Sequence, residues 1–146
     1  LTRQHLMAEY RELPRVFTDA KKLAAAGVSP HSIKQPKTYT LGNGHTLFFR
    51  NRCGWLLDRY IALWSELRKR GFDLNHTMFA DICAAASTLP DDWKGGYEPT
   101  EESIALSRDR LVERFSGITW EDSKNHIVYE EKRRTMMLTW DDYLNG

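Results

Sequence analysis

Leu6, Met7, Tyr10 and Leu13 recur at helical intervals near the start of the chain and run directly into Pro14, and no other feature restricts the fold as much. At about 100° per residue they gather on one side of a helix, so this side must be covered by apolar surface from elsewhere in the chain. Pro14 has no N–H to donate and its ring crowds the preceding turn, which predicts a kink within the helix instead of a clean stop. A run rich in lysine and alanine then carries the pattern to about residue 26, just before Gly27. The predicted element therefore spans 4–26. Its partners must come from the same chain, and 146 residues suffice for one domain with a real core and no cross-links.

Two further helices are predicted. Over 54–70, Leu56, Tyr60, Leu63, Trp64 and Leu67 share a side, the last turn holds Arg68, Lys69 and Arg70, and Gly71 follows. Cations in the last turn and a glycine just beyond it are a C-terminal signature. Over 101–115, Thr100 supplies an N-cap, Glu101 and Glu102 suit the positive end of the helix dipole, and Ile104, Leu111 and Phe115 form an inner seam. The segment from Val28 to Gly44, with Pro30, Pro36, Gly42 and Gly44, reads as connection, although Thr38 to Leu41 alternates like a short strand. Residues 87–99 read as loop, and the tail 117–146 is assigned to no element.

No apolar run approaches the roughly 18 residues of a spanning helix, and the start lacks a secretion-signal layout, so the expectation is an intracellular protein without a membrane partner. Cys53 and Cys83 have no CxxC or Cys/His metal spacing and read as buried thiols. His45, in Gly42-Asn43-Gly44-His45, reads as a turn histidine. The formal net charge of +1 conceals an asymmetry: residues 1–70 carry 13 Lys/Arg against 5 Asp/Glu, and residues 71–146 carry 8 against 15. A polyanion would be drawn to the first part, unless the two parts neutralise each other across the fold.

The first helix also has a polar side. Gln4, Arg11, Arg15, Glu12 and His5 fall within about 120° of arc, opposite the apolar residues. Arginines and a glutamine suit phosphate and base-edge contacts, and a carboxylate among guanidinium groups can act as a base or stabilise a cation. Glu9 lies at the edge of this sector, and spacing alone does not choose between Glu9 and Glu12. A second basic edge is set by Arg110 and Arg114, four apart on the third helix, with Glu113 and Asp109 as ready partners.

The run from Gln4 through Glu9, Tyr10, Arg11, Glu12, Leu13, Pro14 and Arg15 to Phe17 closely resembles the first-helix motif of the pyrimidine-dimer DNA glycosylase and AP lyase family, that of the phage endonuclease V of ultraviolet repair. The resemblance continues in order through Leu41 to His45, Phe48-Phe49, Lys69 to Phe72, Gly96 to Pro99, and Ser103 to Ser107 with Arg110-Leu111. It implies an all-α fold, a compact single domain of about three main helices with long connecting loops, in which Thr38 to Leu41 seeds no sheet. It also implies a monomeric enzyme that flips a nucleotide from double-stranded DNA containing pyrimidine dimers or abasic sites. Such an enzyme cuts the glycosidic bond of the 5′ base of a cyclobutane dimer and nicks the strand. The nucleophile implied is the N-terminal α-amine, whose ordinary pKa of about 7.7 to 8.0 leaves a useful neutral fraction, and no metal or cofactor is required. By the same match Glu12 is the catalytic carboxylate, and Gln4, His5, Arg11, Arg15, Arg110 and Arg114 hold the kinked DNA.

Two departures qualify these expectations. The family places a longer run between its nucleophilic start and the Gln-His pair than Leu1-Thr2-Arg3 provides, so a chain beginning at Leu1 is expected to bind damaged DNA but turn over poorly. The family's C-terminal aromatic segment is not evident, with only Trp120 near its place, which leaves another base lesion as an alternative substrate. A non-catalytic damaged-DNA-binding domain is the third reading.

Overall fold

The computed structural model describes residues 3–115, 128–131 and 134–137. The predicted first helix is two: α1 (Arg3–Glu12) and α2 (Pro14–Ala25), with Leu13 between them in right-handed helical geometry at φ −58° and ψ −40°. The Leu13 N–H still donates to the Glu9 carbonyl at 2.9 Å, but Val16 donates to the Leu13 carbonyl at 3.1 Å, a tighter turn forced where Pro14 has no proton to give. Both helices bury one side: Leu6, Tyr10 and Leu13 from α1 and the junction, then Val16, Phe17 and Ala20 from α2. α2 ends with Gly27 at φ +74°, where the Gly27 and Val28 N–H groups donate to the Ala24 and Leu23 carbonyls. This pair of bonds satisfies orphan carbonyls and needs a left-handed residue at its centre.

The next long helix, here α4 (Cys53–Lys69), is the predicted 54–70 element, and it buries Cys53, Leu56, Tyr60, Leu63 and Leu67. It packs on α1 through Tyr60, which stacks on Tyr10 with ring centroids 5.0 Å apart. Gly71 at φ +86° closes it with the same paired bonds, from Gly71 to Arg68 and from Phe72 to Leu67. Two helices stand where only connection was expected. α5 (His76–Ser87) is capped by Asn75, whose side chain accepts from the Met78 N–H at 2.9 Å, and its Phe79 stacks on Trp64 of α4 at 4.3 Å. Phe79, Ile82, Cys83 and Ala86 recur along it at helical spacing. α3 (Asn43–Phe49) is too short to reveal a period and forms because Phe48 and Phe49 are buried against Tyr39, Trp55 and Tyr97. His45 accordingly sits on a helix, not in a turn.

The turn between α3 and α4 is clipped to the loop that ends the α5 region. Gly95 donates to the Asn51 carbonyl at 2.9 Å and Trp55 to the Gly95 carbonyl at 3.2 Å. α6 (Glu101–Phe115) matches its predicted span, and the Thr100 hydroxyl caps it by accepting from the Ser103 N–H at 3.1 Å. The expected seam differs, because Ile104 is 57% exposed and the buried residue at that end is Ser103. The Leu111 and Phe115 side chains lie outside the described residues. The tail contributes an antiparallel hairpin, β1 (Val128–Glu131) with β2 (Arg134–Met137), in the register Val128 opposite Met137. The body is all-α, as expected. Trp120 lies outside the described residues, and no helix among them is long and apolar enough to cross a membrane.

Candidate nucleic-acid interface and active-site face

The kink at Pro14 carries the residues singled out on the first helix. Glu12 is the last residue of α1 and Arg15 the second of α2, and across the bend their side chains form an ion pair of 3.1 Å with about two thirds of each exposed. Arg11 is exposed beside them and makes no ion pair or hydrogen bond among the described residues. His5, half-buried, lies on the first turns of α1, and Gln4 precedes it on the same helix, its side chain outside the described residues. The kink thus presents Arg11, Glu12 and Arg15 outward together while Tyr10 and Leu13 remain in the core.

Glu9 is occupied differently. Its two carboxylate oxygens accept from Arg59 of α4, Nε to Oε1 at 2.6 Å and Nη2 to Oε2 at 2.8 Å. Arg59 is held above its ordinary pKa, chiefly by that hydrogen-bonded carboxylate against the opposing effect of burial. A bidentate pair of this kind fixes geometry as well as charge. The two carboxylates that spacing could not separate therefore have separate surroundings, one locked to a neighbouring helix and one open to solvent. Nothing in the spacing of the chain pointed to Arg59, since it stands 50 residues from its partner.

The second basic edge is less free. Arg110 donates to Glu113 at 2.6 Å, and the Arg114 side chain lies outside the described residues. An open groove of about 680 Å³ runs between the start of α3 and α6, lined by Leu41, His45, Leu106, Asp109, Arg110 and Glu113. His45 faces it with Nδ1 tied to the Thr40 carbonyl at 3.2 Å. No ion pair or hydrogen bond among the described residues joins Arg110 to the set at the kink.

Among the described residues, ion pairs form within each part of the chain. Arg15–Glu12, Arg50–Asp19, Arg59–Glu9 and Arg70–Glu66 all join residues within 1–70, and Lys94–Asp91 and Arg110–Glu113 join residues within 71–146. None of these six pairs joins the two parts, and the first presents an exposed basic surface at Arg11 and Arg15. Lys22 adds to it, exposed on α2 seven residues after Arg15 and so nearly in line with it. The heptad spacing from Arg15 could have revealed it.

The family model of the pyrimidine dimer DNA glycosylases matches residues 1–80, more than half the chain. The chain belongs to that family. The match spans α1 to α4 and the start of α5, and so includes Gln4, His5, Glu9, Arg11, Glu12, Arg15 and Arg59; α6 with Arg110 and Arg114 lies beyond it. Members of the pyrimidine dimer DNA glycosylase family act in repair of damaged DNA, and the exposed carboxylate and arginines at the kink lie in the part of this chain that carries the relationship.

Proposed function

We propose that this protein is a DNA repair glycosylase with AP lyase activity that excises the 5′ base of cyclobutane pyrimidine dimers in duplex DNA, acting as a monomer. The observation that carries this reading is the division between two carboxylates on α1. Arg59 holds Glu9 into the fold, while Glu12, one turn further on, stays exposed at the kink in a solvent-accessible pair with Arg15 that a ligand can reopen.

In this reading the α-amine of the mature N-terminus attacks C1′ of the 5′ nucleotide. The C1′–N bond breaks with its electron pair leaving on the base, which stays attached to its neighbour through the cyclobutane ring. Opening of the sugar gives an imine, loss of a C2′ proton expels the 3′ phosphate, and water then hydrolyses the imine. Glu12 stabilises the cationic sugar and relays protons during ring opening and elimination, which is general acid/base work. Arg11 and Arg15 flank it as phosphate contacts, with Gln4 and His5 on the same helix and Arg110 and Arg114 on α6. The amine supplies the nucleophile, so the scheme calls for no metal or cofactor.

The test is borohydride trapping of the protein carrying its natural mature N-terminus on a duplex with a single dimer. A covalent protein–DNA adduct is expected. Its absence would overturn the amine mechanism, and stronger trapping on a duplex with a ring-opened purine would reassign the lesion.

A further inference from the structure

Glu9 and Glu12 stand about one turn apart on α1 and are paired in opposite ways. Glu9 is held by two hydrogen bonds from Arg59, at 2.6 and 2.8 Å, reaching across from another helix, with about one third of each side chain exposed. Glu12 meets Arg15 at 3.1 Å, Nη2 to Oε2, between neighbours three apart in the chain and with about two thirds of each side chain exposed. Water screens the second pair, and an exposed pair shifts an equilibrium by no more than about fivefold. A guanidinium carries several N–H donors in a planar fork, so a phosphate can take the donors that Glu12 leaves unused before the 3.1 Å contact is given up. Phosphate oxygens match that fork and bring with them the charge of a whole strand. Arg11, exposed and next to Glu12 in the chain, offers a phosphate contact that leaves the pair intact. An arginine held this lightly beside a carboxylate is suited to change partners.

We infer that Arg15 exchanges partners when DNA binds: in the free protein it neutralises Glu12, and on the duplex it moves to a backbone phosphate and leaves the Glu12 carboxylate unpaired. The inference rests on the DNA-repair reading and adds a means of control to the same site. In the free protein the pair shields an incoming polyanion from a bare carboxylate. In the complex the full charge of Glu12 is restored where a cationic sugar would develop, and a fixed negative charge is most effective there. Part of the attraction between protein and DNA then goes into unpairing the carboxylate instead of into affinity. Glu12 should therefore weaken DNA binding, and should do so through Arg15. Glu9 takes no part, because Arg59 retains it.

A double-mutant cycle tests the exchange. The probe is a duplex with a tetrahydrofuran abasic analogue, which has no aldehyde and so forms no imine, titrated at low salt with the protein carrying its natural mature N-terminus. Glu12→Gln is expected to tighten binding, and the gain is expected to be roughly two- to fivefold larger in the parent than in the Arg15→Gln background. Raising the salt should shrink that difference, because the pair is open to screening. Glu9→Gln removes a charge of the same sign from the same helix without touching Arg15, and its effect should be equal in both backgrounds. An equal gain from Glu12→Gln in both backgrounds overturns the exchange, because simple repulsion between carboxylate and phosphate would then account for it. No gain, a loss of affinity, or a parent that binds no duplex overturns it as well. Borohydride trapping judges the glycosylase reading separately: coupling without an adduct leaves the exchange standing and refutes the amine mechanism, and an adduct without coupling does the reverse.

Discussion

Replacing Glu12 with glutamine should separate chemistry from stability almost completely. The side chain keeps its size, and its partner Arg15 is about two thirds exposed, as Glu12 itself is. An exposed pair of this kind is worth about 0 to 1 kcal/mol, and a change of 1 kcal/mol moves the midpoint of a domain near this size by roughly 2 to 4 °C. Thermal unfolding of Glu12→Gln should therefore lie within a few degrees of the parent. If Glu12 performs the acid/base work of imine formation and elimination, its loss should slow the committed step about 10²- to 10⁴-fold. At about 1.36 kcal/mol per tenfold, that is roughly 3 to 5 kcal/mol of transition-state stabilisation, several times the largest effect on folding. The assay is single-turnover trapping and strand cleavage on a defined duplex, read beside a melting curve and a binding isotherm. A trapping rate within threefold of the parent would refute the role of Glu12. So would a large rate loss accompanied by an equally large loss of stability, because the carboxylate would then be supporting the fold.

Other outcomes follow from the same geometry. Arg11→Gln and Arg15→Gln should each weaken binding to undamaged duplex and lower the slope of log K against log salt by roughly one; a slope unchanged in both would remove the kink from the DNA interface. Gly54→Ala should destabilise the protein by about 1 to 3 kcal/mol in urea unfolding, because the added Cβ would stand 2.5 Å from the backbone oxygen of Lys94. At an ordinary helical site the same change would be stabilising. Burial pushes the Cys53 thiol from 9.0 up to about 12, so the folded state keeps a proton that the unfolded chain gives up. Stability is then full below about pH 9 and falls as pH rises towards 12. Cys53→Ala should flatten that alkaline decline in denaturant titrations, and an unchanged slope would contradict the burial.

Local patterns in the chain determined a good deal of this protein. Apolar residues at helical spacing, Pro14, Thr100 and Gly71 placed three predicted elements nearly where α1 with α2, α4 and α6 stand, because caps, prolines and left-handed glycines act on their own neighbours. The grouping of Arg11, Glu12 and Arg15 on one side of a helix was legible for the same reason. Tertiary structure decided what local pattern could not reach. α3 exists because Phe48 and Phe49 find an aromatic nest built from distant residues, not because seven residues favour a helix alone. The difference between Glu9 and Glu12 was equally out of reach, since both lie on one helix with similar neighbours in sequence. Only packing of α1 on α4 brings Arg59 from 50 residues away to capture Glu9, while Glu12 stays exposed at the kink.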